Sequence, residues 1–156
     1  MLLYASLISR LASQHETIEE IISGVDEQRL LLHPQPGKWS IKDNIAHLAK
    51  YQPVFMERMQ VVMTGTDPVF GRYVADEDPE FATWKSWDIP TLLNRLQTDR
   101  TLIYDLITGA SGIQITMTGT HKKFGKLSLV QWTEFFLLHE AHHLFTIFQI
   151  ANNVDL

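Results

Sequence analysis

The sequence predicts an all-α protein, a four-helix bundle with one or two long crossover connections. Three observations carry this reading. Four long segments repeat apolar residues at helical spacing. Cap residues, or Pro and Gly stops, bound those segments. The connections after the second and third helices are too long for tight hairpins, as crossovers in such bundles are. With 156 residues, no internal repeat, no low-complexity tract and no dividing linker, residues 1–156 form one domain.

The first helix is expected from Leu2 to Ser23, with Leu3, Leu7, Leu11, Ile18, Ile21 and Ile22 recurring at helical spacing and Gly24 as its stop. Pro34, Pro36 and Gly37 then forbid a long regular element. Ser40 caps the second helix, and Asp43 three residues on makes a shortened capping box. Ile41, Ile45, Leu48, Phe55, Met59 and Val62 give that helix an apolar face, which ends near Thr64 and Gly65. Pro53 lacks the N–H that would bond to Ala49, so a kink is expected there. Residues 65–88 form a long connection with a short helical turn near Phe81–Trp87. Asp88 caps the third helix, Pro90 sits in its first turn, and it runs to Gly109. In residues 110–127, Ile113, Ile115 and Met117 alternate with Gln114 and Thr116, which predicts a brief extended segment. Ser128, with Gln131 at the capping-box position, starts a last helix from Leu129 to about Asn152.

Composition narrows the function classes. Thirteen Lys and Arg against 18 Asp and Glu leave a net charge of −5, which disfavours a nucleic-acid partner. The chain has no cysteine, which excludes a disulfide scaffold, a Cys-type zinc finger, an iron–sulfur site and a cysteine nucleophile. The opening MLLYASLISRLASQHE lacks a basic leader and a cleavage site, so it reads as an amphipathic helix. No run of 18 apolar residues suggests a membrane span, and a cytoplasmic location is expected. The seven histidines are the groups best suited to polar chemistry.

The sharpest local signal is His139-Glu140-Ala141-His142-His143 in the last helix. His139 and His143 lie four apart and share the apolar face of Trp132, Phe136, Ile147 and Ile150. Two imidazoles directed at a core need their nitrogens satisfied. Either a divalent metal does so, or hydrogen bonds inside the bundle do. His142 turns toward a flank. A clamp of two histidines on one helix needs a third ligand from a facing helix, and His47, near the middle of the second helix, is so placed. His47 lies beside the main apolar stripe and also has an ordinary structural reading. The neighbours of His15 read as solvated, and His33 and His121 fall in connections. The same five residues spell the H-E-x-x-H pattern of zinc peptidases, in which Glu140 is the general base. No further histidine follows, the tail offering Asn residues and Asp155, and no strand pattern suits an extended peptide substrate.

Three stretches together resemble the DinB-like metal-binding four-helix bundle superfamily. They are PGKWSIKDNIAHLAKYQ from Pro36 to Gln52, HKKFGKLSLVQW from His121 to Trp132, and HEAHHLFTIFQI from His139 to Ile150. The resemblance extends over nearly the whole chain. It implies a DinB-like bundle with one divalent metal, zinc or nickel, on His47, His139 and His143. Relatives use low-molecular-weight thiols such as bacillithiol, mycothiol or glutathione in transfer or isomerisation, and others are described only as metal-dependent hydrolases.

Three neutral imidazoles leave a divalent ion its full charge and an open position. A water there is acidified toward neutrality, giving a hydrolase, and a thiol is deprotonated, giving a transferase. With no cysteine in the chain, the thiol must come from a cosubstrate. Tyr51, one turn beyond His47, can donate a hydrogen bond, and Glu140 can serve as base or hold a ligand in place; an aromatic packing residue and an outer-edge carboxylate are the plainer readings. Lys122, Lys123 and Lys126 form a basic cluster able to steer an anionic cosubstrate, or a solvated loop. The expected partner is a small-molecule substrate, and an exposed helix face allows a homodimer. A non-catalytic helical binding module is the alternative to an enzyme.

Overall fold

In the computed structural model, which describes residues 2–154, side-chain caps start the long helices. Asp155, in the tail, lies outside the described residues. The Ser40 hydroxyl accepts the Asp43 N–H and the Asp43 carboxylate accepts the Ser40 N–H, opening α4 (Ile41–Val62). Asp88 accepts from Thr91 at the start of α6 (Ile89–Thr108), and Ser128 with Gln131 repeats the capping box at α8 (Leu129–Asn152). Each cap contributes about 1 kcal/mol by satisfying amides that the helix leaves unpaired. At the other end of α8, Asn153 takes a left-handed turn with φ of 54°. Pro53 lies inside α4, which runs helical on both sides of it.

The expected first helix is two helices, α1 (Ala5–Ser13) and α2 (Thr17–Ile22), joined by a 3₁₀ turn at Gln14–Glu16. At that turn Gln14 donates to the Leu137 carbonyl and His15 bonds Gln97, so the backbone tightens where it is tied to α8 and α6. A short α3 (Glu27–Leu31) follows, capped by Asp26. In the long connection lie a two-residue strand β1 (Val69–Phe70), a 3₁₀ turn at Ala75–Glu77 and α5 (Phe81–Ser86), where the helical turn was expected.

Residues 110–127 depart most from the sequence reading. Gly112–Thr116 is helical (α7), because Ser111 and Gln114 form another reciprocal capping box. The extended structure comes later, as an antiparallel hairpin of β2 (Thr118–His121) and β3 (Gly125–Ser128). β1 pairs with β2 in parallel, giving a three-stranded sheet in the order β1-β2-β3. So the extended structure lies after Met117 and not at Ile113–Met117, and it belongs to a sheet that the sequence did not suggest.

α4 packs against both α6 and α8, with α1 and α2 completing the bundle. Two apolar clusters fill it. One gathers Leu7, Leu11, Phe55, Ile103, Trp132 and Phe136, with Phe55 stacked on Phe136 at 4.2 Å. The other gathers Ile18, Ile45, Leu92, Leu96, Leu144 and Ile147. In chain order, the buried polar residues His15, Arg100 and Glu140 fall between the two sets, and Gln52 lies just past that boundary, after Tyr51. No helix among the described residues is long and apolar enough to cross a membrane.

Candidate metal centre

α8 presents His139 and His143, one turn apart, toward His47 on α4. The three ring centroids lie 4.6 to 5.0 Å apart. One ring nitrogen from each lies within 4.8 Å of the others. The Nε2 atoms of His47 and His139 face each other at 3.1 Å. Two ligand nitrogens on one tetrahedral zinc-sized ion stand about 3.3 Å apart, so this separation fits a shared divalent ion.

Protonation is consistent with that role. Burial, with repulsion from neighbouring histidines, holds the pKa of His47 down to about 3, His139 to about 4 and His143 to about 2. All three rings are therefore neutral at pH 7, the form that coordinates a metal. The His143 Nδ1 bonds the Asn44 Oδ1 at 2.8 Å. The Nδ1 atoms of His47 and His139 are buried without a partner among the described residues.

Aromatic rings wall the cluster. Trp39, just before α4, lies 4.9 Å from the His47 ring. The long connection brings Tyr73 within 5.9 Å and Phe81 within 6.2 Å of the same ring. That connection is tied down by Lys50 of α4, which pairs with Glu80 at 2.6 Å and Asp78 at 3.4 Å, while the Tyr73 hydroxyl donates to Asp78 at 2.9 Å.

The sequence profile of the DinB superfamily matches residues 10–147. The chain belongs to the DinB superfamily. Among solved structures its fold is similar to that of YfiT from Bacillus subtilis, described as a probable metal-dependent hydrolase with an unusual four-helix bundle topology. The TM-score is 0.79 at 17% identity, over 95% of this chain and 85% of YfiT, a likeness that shows the fold alone. None of the curated proteins matches the sequence.

Within this DinB bundle the other residues singled out by sequence are distributed as follows. Tyr51 is buried and stands against the cluster, its ring 4.7 Å from that of His139. Burial raises its phenol above the usual range, against the opposing Arg58 charge, so it keeps its proton. Glu140 is directed elsewhere. It is 1% exposed, not an outer-edge carboxylate, and it pairs with Arg100. Gln14 donates to its other oxygen at 3.0 Å. No hydrogen bond joins Glu140 to the three histidines among the described residues.

His15 is buried, contrary to the solvated reading. It bonds Gln97 and lies 3.5 Å from an Arg100 nitrogen. Its spacing carried the signal, since positions 11, 15 and 18 share one helical stripe. His121 is also buried, and its Nδ1 accepts the Lys123 and Phe124 amides, closing the hairpin turn. His33 and His142 are exposed. Lys122, Lys123 and Lys126 are exposed on the hairpin, and Lys126 pairs with Asp67 at 2.5 Å. Sequence reasoning missed Asn44, which lies one turn before His47 on α4 and so shares its side of the helix.

Proposed function

We propose that this protein is a divalent-metal enzyme acting on small molecules, with His47, His139 and His143 as the metal ligands. The convergence of three neutral imidazoles from two helices carries the reading. When bound, zinc or nickel at such a site supplies Lewis acidity at an open position, lowering the pKa of a coordinated water or thiol. The remaining roles belong to the chain. Trp39, Tyr73 and Phe81 exclude water from one side of the cluster. Tyr51, a protonated phenol beside His139, is the hydrogen-bond donor for a developing negative charge.

The reaction is either hydrolysis or transfer to a low-molecular-weight thiol. The location of Glu140 bears on this. A peptidase of the H-E-x-x-H kind needs that carboxylate as a base, whereas here Arg100 and Gln14 occupy both its oxygens. His47, His139 and His143 are joined by no carboxylate among the described residues. A thiol nucleophile, acidified at the site and needing no protein base, suits that arrangement, and the chain's lack of cysteine makes the thiol a cosubstrate.

Protein prepared without a polyhistidine tag should carry about one zinc or nickel per chain by elemental analysis, and His139→Ala should lose it. Well-folded protein that remains metal-free after incubation with either ion would overturn the reading. A panel of bacillithiol-type thiols with electrophiles, set beside esters and amides, then separates transferase from hydrolase. Absence of any His139-dependent rate on both arms would favour a non-catalytic binding module.

A further inference from the structure

We propose that Asn44 is a positioning residue that fixes which nitrogen His143 offers to the cluster. The inference rests on the metal-site reading above and adds a residue and a ring tautomer to it.

One backbone carbonyl orients the Asn44 amide. The Asn44 side-chain nitrogen lies 2.8 Å from the Ser40 carbonyl oxygen. A backbone carbonyl can only accept, so the Asn44 group facing it is the NH₂. The amide oxygen then faces His143, at 2.8 Å from Nδ1. That oxygen can only accept, so His143 carries its proton on Nδ1. Its lone pair is left on Nε2. Asn44 is 2% exposed, so bulk water is not at hand to offer its oxygen a different donor.

The Ser40 carbonyl is itself held in place. Ser40 is the N-cap of α4, locked by its reciprocal bonds with Asp43, and its carbonyl also accepts the Asn44 backbone N–H at 3.1 Å. The cap that starts the helix therefore sets the amide, and the amide sets the histidine. His47 and His139 have no such partner at Nδ1 among the described residues. Of the three rings, His143 is the one whose tautomer the protein dictates. Groups behind a metal-bound histidine fix its orientation and raise its basicity, and their loss costs about 10–100-fold in metal affinity.

The test has two readouts. The first is the ring ¹⁵N shift pattern of His143 in metal-free protein at pH 7.5. Wild type should show Nδ1 protonated and Nε2 bare, and Asn44→Leu should lose that preference. The second is the affinity for Zn(II) alone, by competition with a chromophoric chelator. Asn44→Leu should bind about 10–100-fold more weakly, and Asn44→Asp, which keeps an acceptor, should bind at least as tightly as wild type. An Nε2-protonated His143 in wild type overturns the proposal, even if Asn44→Leu fails to fold. Unchanged affinity in folded Asn44→Leu overturns it as well. Wild type that binds no Zn(II) or Ni(II) while His143 keeps its Nδ1 proton overturns the metal reading and, with it, the ligand role of His143, but not the tautomer assignment.

Discussion

Truncating Glu140 to alanine strands the Arg100 guanidinium, which is 1% exposed, without an anion. The expected cost is about 3–5 kcal/mol, because an uncompensated buried charge is far worse than no charge. Urea denaturation measures it. The double variant Arg100→Met/Glu140→Leu should recover part of that loss, since an apolar pair of similar volume avoids the desolvation penalty of the charges but takes a partner from Gln14 and from the buried Gln52 oxygen. Glu140→Gln should likewise lose stability before it loses metal, the reverse of what a catalytic base predicts. Residue identity alone does not separate these roles. Neighbouring positions on a helix point about 100° apart, so His139 and Glu140 serve different neighbours. His139 meets α4, and Glu140 meets Gln14 and Arg100. The pairing of His139 with His143 was legible from their four-residue spacing. The partner of Glu140 was not, because Arg100 lies forty residues away in sequence.

Helix boundaries were the most legible elements, and the reason is local. Ser40 with Asp43, Asp88, and Ser128 with Gln131 satisfy amides within three residues, so the signal and its effect share one short window. The sheet was not legible. β1 is two residues long, and Val69 pairs with Thr120 across fifty positions of chain. The hairpin is held to the bundle by the Trp132 indole, which donates to the Gly119 carbonyl at 3.1 Å. A Cβ at Gly119 would stand 2.8 Å from a Val62 methyl and 3.3 Å from the Phe70 ring. Gly119→Ala should therefore destabilise the protein by about 1–3 kcal/mol, through overpacking where β2 meets α4. A fall in melting temperature, with faster amide exchange confined to the hairpin, is the expected record. An unchanged melting temperature would argue that β2 shifts freely against α4.

For the molecule as a whole, the buried histidines tie stability to pH. In the unfolded chain their imidazoles take up protons below about pH 6.5. In the folded, metal-free protein His47, His139 and His143 resist protonation down to about 3, 4 and 2, and burial lowers His15 also. The unfolded state therefore binds more protons through that interval. Their favourable contribution is complete above about pH 6.5 and is lost as pH falls toward the folded values, by up to about 1.4 kcal/mol per histidine per pH unit. The urea midpoint of chelator-treated protein should fall steadily from pH 7 to pH 5, and a flat midpoint would contradict the burial of these rings. The sequence by itself determined the three long helices α4, α6 and α8 with their caps, the helical character of the first segment, and two histidines on one apolar face, because periodicity and capping act within a few residues. Only the tertiary structure decided what those faces meet. It brought His47 and Asn44 of α4 to the histidines of α8, folded residues 65–88 over them, and matched Glu140 with Arg100. Such contacts depend on how helices pack across the bundle, and no local stretch of chain encodes that.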